Sequence, residues 1–226
     1  MRYTLHTSKR ADWEILGKNP KNIWQVIAAK SYGVLTPGNM ASFIGGALAL
    51  YGLWIILSGD TVKGLVFLSV GRLADVADGI IAEYTRTKSP LGEIVDAAMD
   101  KLVVAATLIV LGALELIPWI IIIVIALQNS ANVVISVVAK LRHKYLHPSR
   151  LGKVSSAFSW ITIILYPLGD WLRQDVSTVG GNALITLSLI CFGIYAVMGL
   201  RASLSYADAI YKKPAKKLID YLGKKP

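Results

Sequence analysis

The stretch Leu116 to Ala139, LIPWIIIIVIALQNSANVVISVVA, contains no Asp, Glu, Lys or Arg. As a helix rising about 1.5 Å per residue, such a run is long enough to cross the ~30 Å hydrocarbon core of a bilayer. Two further uncharged runs, Ala41 to Ser58 and Val176 to Leu200, have the same property. In a chain of 226 residues that is 54% hydrophobic and 17% charged, these runs exclude an ordinary soluble domain and point to an all-α, polytopic membrane protein.

Turn residues divide the rest of the chain. Gly59 and Asp60 close a first span, Ser89 and Pro90 precede a third, Pro118 separates third from fourth, Pro148 precedes a fifth, and Gly180 with Gly181 opens a sixth. The spacing predicts spans at about residues 40–58, 62–83, 92–115, 117–140, 152–170 and 179–203, each near the ~20 residues a crossing needs. Ahead of them, residues 13–35 intersperse Trp13, Leu16, Trp24, Val26 and Ile27 with Lys18, Lys21 and Lys30, a pattern that suits an amphipathic helix lying in the interface and also suits a plain surface helix. The expected organisation is an N-terminal interfacial segment (1–39), a six-transmembrane-helix bundle (40–205) and a basic cytoplasmic tail (206–226). The N-terminus has no apolar h-region, so no cleaved signal peptide is expected. A single cysteine, Cys191, excludes an intrachain disulfide.

The formal net charge of +10 has a topological explanation. Lys and Arg in short loops resist translocation. With both termini inside, the cytoplasmic segments hold six before Met40, two at Arg86 and Lys88, five from Lys140 to Lys153 and seven from Arg201 onward, twenty of the 24 in the chain. Lys63 and Arg173 fall outside, and Arg72 and Lys101 fall within spans. The basic residues therefore call for no nucleic-acid partner, and the predicted location is the cytoplasmic membrane with both ends inside. The terminal lysines suit anionic lipid at up to ~1 kcal/mol each.

Four carboxylates break the apolar pattern. An ionised side chain at mid-bilayer costs at least ~2.5 to 3.5 kcal/mol on insertion scales, yet Asp75 and Asp78 lie on the second span and Asp96 and Asp100 on the third. At ~100° per residue Asp75, Asp78, Gly79 and Ala82 share one arc, and Gly92, Asp96 and Asp100 share another. The short link makes the two helices antiparallel neighbours whose arcs can face each other. Arg72 and Lys101 could neutralise two aspartates in a structural ion network, but two cations do not neutralise four carboxylates. Two divalent ions would balance the count. All-oxygen ligation selects Mg2+, Mn2+ or Ca2+, and a pair of them suggests phosphoryl chemistry. Gly79 and Ala82 leave room either for a flat group or for a closely packed helix.

The stretch Asp75 to Asp100, DVADGIIAEYTRTKSPLGEIVDAAMD, resembles the signature of the CDP-alcohol phosphotransferase (CDP-alcohol phosphatidyltransferase) family, DxxDGxxAR followed by eight residues and GxxxDxxxD. Asp75, Asp78, Gly79, Ala82, Gly92, Asp96 and Asp100 match, and Glu83 stands where the family has Arg. Six spans with cytoplasmic ends are also the family's architecture. The resemblance implies metal-dependent transfer of a lipid phosphate from a CDP-linked lipid to the hydroxyl of an alcohol, with release of CMP, in phospholipid biosynthesis. It implies that Asp75, Asp78, Asp96 and Asp100 hold two divalent cations, Mg2+ or Mn2+, with Asp100 also the general base. It further implies that Asp75, Gly79, Ala82 and Arg86 lie along the donor nucleotide, and that the protein is a homodimer. Glu83 reverses a charge beside the expected pyrophosphate, so altered donor binding and a noncatalytic paralogue stay open.

Gly152 and Lys153, at the start of the fifth span, are similar to a GKxKT stretch of bacterial phosphatidylglycerophosphate synthases, with Ser155 and Ser156 in place of its second Lys and Thr. Lys140, Arg150, Lys153 and Arg201 approach the cytoplasmic side and could bind a phosphate on the acceptor, although topology alone also calls for basic residues there. The expectation leans to glycerol 3-phosphate as acceptor, with inositol phosphate or another alcohol as alternatives. Outside the class, an ion-coupled transporter would spread ionisable groups across the membrane depth, whereas here they gather near one face. A UbiA-type prenyltransferase would show two aspartate clusters. His143 and His147 flank an interfacial loop ending at Pro148 and make a poor metal pair.

Overall fold

The computed structural model describes residues 23–31, 35–85, 90–141 and 149–211. They form seven helices: α1 (Ile23–Lys30), α2 (Pro37–Leu57), α3 (Thr61–Thr85), α4 (Pro90–Ala113), α5 (Trp119–Leu141), α6 (Arg150–Asp175) and α7 (Thr178–Tyr211). Trp13, Leu16, Lys18 and Lys21 of the expected interfacial helix lie outside the described residues, as do Arg86, Lys88, His143, His147 and the tail from Lys212. So do the side chains of Glu83, Lys140 and Arg150. The chain divides into two units, Met1–Leu114 and Glu115–Pro226.

In the first unit, α2 begins three residues before the expected span. Thr36 caps it, its side chain accepting from Asn39 N at 3.1 Å, and Pro37 occupies the first turn, where its missing N–H costs nothing. The helix ends at a tight turn in which Gly59 takes a φ of 98°, a left-handed conformation that disfavours other residues. Asp60 then caps α3, accepting from Lys63 N at 3.1 Å.

The α2–α3 hairpin closes on glycine. Gly45 and Gly52 are seven residues apart on α2, and Gly64 and Gly71 are seven apart on α3. A Cβ on Gly45 would stand 2.8 Å from the Gly71 carbonyl oxygen, and one on Gly52 would stand 2.7 Å from that of Gly64. The two backbones thus approach as only small residues permit, as in helix pairs that associate within lipid. α4 lies against α2, with the Met99 methyl seated on Gly46. From α1, buried Gln25 donates through Nε2 to the Thr85 carbonyl at 3.3 Å, holding that short helix at the end of α3.

In the second unit α6 and α7 pair along their length, and α5 packs on α7. Thr162 and Ser188 are buried and exchange side-chain to backbone hydrogen bonds at 3.4 and 3.2 Å. Gly169 meets Ile185, and Gly181 meets the Arg173 backbone. Between α5 and α7 the Gln128 side chain covers Gly199, and Ser203 donates to Asn132 Oδ1 at 2.8 Å.

Among the described residues, four helical segments are long and apolar enough to cross a membrane: Pro37–Leu57, Trp119–Ala139, Leu151–Asp175 and Thr178–Asp208. The protein is therefore an integral, polytopic, all-α membrane protein. Six spans were expected, and helices stand at all six places, but α3 and α4 fall short on composition because they carry the aspartates with Lys63, Arg72 and Lys101. Both still expose apolar side chains, Leu73 and Ile80 on α3 and Leu102 and Ile109 on α4, while Asp78 is only 7% exposed.

Candidate active site

The charged face of α3 is turned toward α2 and α4. One carboxylate oxygen from each of Asp75, Asp78 and Asp96 lies within 4.8 Å of the others. The three-residue step from Asp75 to Asp78 places both on one side of α3, and Asp96 approaches from α4. Three anionic oxygens so close match the donor set of a hard divalent cation, which prefers oxygen ligands at roughly 2.0 to 2.6 Å. The arrangement fits a divalent cation of the kind that the sequence suggested.

Ser42 supports the cluster from α2. Its hydroxyl reaches Asp78 Oδ2, and the Gly38 carbonyl is 3.2 Å away. One proton serves one acceptor at a time, so Ser42 links Asp78 to α2 when it turns toward the carboxylate. Reading the sequence did not single out Ser42. It stands 36 residues from Asp78, and the only signal was a hydroxyl within an otherwise apolar run.

Asp100 is placed differently. Its Oδ1 lies 2.9 Å from Arg72 Nη1, and its Oδ2 lies 3.6 Å from Lys101 Nζ. Arg72 Nη1 is also 3.1 Å from Asp75 Oδ2. Asp100 stands outside the three-oxygen group and belongs to an ion-paired one beside it. A void of about 10 Å³, near the size of one water, is lined there by Ser42, Gly46, Gly71, Arg72, Asp75 and Met99 among others.

The expected nucleotide-side residues divide. A Cβ on Gly79 would meet nothing within 4 Å among the described residues, so this position is open. Ala82 instead packs on α2, its Cβ 2.8 Å from where a Cβ on Gly38 would be. Arg86 lies outside the described residues.

Lys140, Arg150, Lys153 and Arg201, the expected acceptor residues, all belong to the second unit. Lys153 and Arg201 are exposed, and Lys153 stands in the first turn of α6. That turn is fixed by a side chain the sequence did not reveal. Tyr206, near the end of α7, accepts from Ser149 N at 2.6 Å, and its hydroxyl is 3.0 Å from Ser149 Oγ, which caps Gly152 N at 3.0 Å. A Cβ on Gly152 would come 2.9 Å from that phenol oxygen, which accounts for glycine beside Lys153. Tyr206→Phe is expected to cost about 1 to 3 kcal/mol by leaving the Ser149 N–H unpaired. Gly152→Ala should destabilise the native protein yet cost less in the Tyr206→Phe background, where the opposing oxygen is gone. Thermal unfolding of the four proteins in detergent measures this, and strictly additive losses would refute the contact.

Comparison with known proteins agrees with this site. Residues 35–201, most of the chain and including Asp75, Asp78, Asp96 and Asp100, match the CDP-alcohol phosphatidyltransferase family. The chain belongs to that family. It is 36% identical over 87 residues to proteins described as "Putative cardiolipin synthase" from Mycobacterium tuberculosis and Mycobacterium bovis. The match covers 38% of this chain and 42% of theirs, so the chain spans under half the length of these curated relatives. No solved structure matches.

Proposed function

We propose that the protein transfers a phosphatidyl group from CDP-diacylglycerol, or a similar CDP-linked lipid, to the hydroxyl of a small alcohol and releases CMP. The observation that carries this reading is the meeting of Asp75, Asp78 and Asp96 within 4.8 Å, in a chain of this family. Asp75, Asp78 and Asp96 would hold the divalent cation, Mg2+ or Mn2+. When bound, that cation offsets charge on the donor pyrophosphate and on the departing CMP.

The chain's own residues supply the rest. Asp100 takes the proton of the acceptor hydroxyl as its oxygen bonds to the lipid-side phosphorus. The bond from that phosphorus to the CMP oxygen breaks, and CMP leaves with the electron pair. Ser42 orients Asp78. Gly79, open to its surroundings, leaves room for the flat cytidine. Lys140, Arg150, Lys153 and Arg201 would bind a phosphate on the acceptor, for which glycerol 3-phosphate is the leading candidate and inositol phosphate the alternative.

In this reading α3 and α4 also cross the membrane, giving six spans. The outward Leu73, Ile80, Leu102 and Ile109 support it, since a helix whose charges are covered by its neighbours can present an apolar face to lipid. Residues 40–205 would then be the catalytic domain, with the site and both termini on the cytoplasmic side, following the distribution of Lys and Arg. A homodimer rests on the family resemblance.

The test is CMP release from CDP-diacylglycerol by the purified protein with Mn2+ or Mg2+, first without acceptor and then with glycerol 3-phosphate, inositol phosphate, glycerol or serine. Release that depends on one acceptor and stops in EDTA is expected. Folded protein that releases no CMP with any of them would refute the proposal.

A further inference from the structure

The four aspartates do not form one set. Three converge, and the fourth is held by a guanidinium that also touches one of the three. Arg72 bridges Asp75 on α3 to Asp100 on α4 at 3.1 and 2.9 Å, and its side chain is only 14% exposed. An arginine so enclosed stays charged under all ordinary conditions. It therefore presents a fixed positive charge between two carboxylates.

The charge balance agrees. Four carboxylates with Arg72 and Lys101 beside them leave two uncompensated negative charges, which one divalent ion cancels. Before the anionic donor arrives, a second ion would leave these six side chains with two excess positive charges, unfavourable at low dielectric.

We propose that Arg72 takes the place of a second metal ion: the site binds one divalent cation, through Asp75, Asp78 and Asp96, and the guanidinium keeps Asp100 out of the ligand set. This rests on the metal-dependent reading above and replaces the pair of ions expected from the sequence. It also assigns Arg72 a positioning role, because its Nη1 lies 2.9 Å from Asp100 Oδ1 while Oδ2, among the described residues, lies 3.6 Å from Lys101 Nζ. Oδ2 is thus the oxygen for the acceptor proton.

The experiment counts bound Mn2+ on the full chain in detergent, by equilibrium binding and by electron paramagnetic resonance. The native protein should bind one tight Mn2+ with the spectrum of an isolated ion. Arg72→Gln should bind two, with the spectrum of a spin-coupled pair, and Arg72→Lys should stay at one. Asp100→Asn gives an independent reading if Arg72→Gln does not fold: it should still bind one. Two tight ions in the native protein, one ion in folded Arg72→Gln, or loss of the ion in Asp100→Asn would overturn the proposal. Native folded protein that binds no Mn2+ would instead refute the metal-dependent reading beneath it.

Discussion

Asp96→Asn is expected to lower CMP release by at least about a thousandfold, since metal stabilisation of a transferring phosphoryl group supplies several kcal/mol and each ~1.4 kcal/mol is tenfold in rate. Asp96 is the only contribution of α4 to the three-oxygen group. A neutral amide in its place leaves two ligands from a single helix, too few to hold a divalent ion firmly. Stability separates loss of the site from loss of the fold. The three crowded carboxylates repel one another without metal, so metal-free Asp96→Asn should unfold no earlier than the metal-free native protein. The native protein should melt at a higher temperature in Mn2+ than in EDTA, and the variant should show no such difference. A variant that keeps both its Mn2+-dependent melting and its activity would remove Asp96 from the metal site.

Asp100→Asn should be nearly as severe by a different route. Loss of a general base typically costs 10² to 10⁴-fold, and the loss should fall on kcat while the apparent KM for the CDP-lipid stays near the native value. The asparagine keeps the shape and can still accept from Arg72 through its amide oxygen, so the geometry beside Asp75 should persist. Steady-state kinetics with each substrate varied tests this. A rise in donor KM with unchanged kcat would move Asp100 from proton transfer to donor binding.

Much of the fold was legible because it rests on local signals. Uncharged runs and Gly or Pro punctuation placed six helices whose starts lie within three residues of those observed. The misses have physical causes. Thr36 with Pro37 starts α2 early through capping, which a hydropathy reading overlooks. α7 continues to Tyr211, past the apolar run, because nothing in RASLSYADAIY breaks a helix. The nearness of Asp75, Asp78 and Asp96 was legible because helical spacing puts the first two on one arc, while the pairing of Asp100 with Arg72 was not. Ser42 and Tyr206 were not, since each acts on a residue at least 36 positions away. Arg72 was visible only as a counter-charge. That it reaches Asp100, three turns of sequence beyond the link on the next helix, depends on how α3 and α4 each sit against α2, through the glycine seam and Met99.

The charged composition of α3 and α4 bears on how the protein is made. α2 is apolar enough to enter the bilayer unaided, but α3 carries Arg72, Asp75 and Asp78 and would be a poor passenger by itself. The Arg72–Asp100 pair joins it to the helix that is synthesised next. On the six-span reading proposed above, release of α3 into lipid is therefore expected to wait for α4, each of the two packing against α2. On that order of events the aspartate cluster is assembled during biosynthesis, before any of the second unit has left the ribosome.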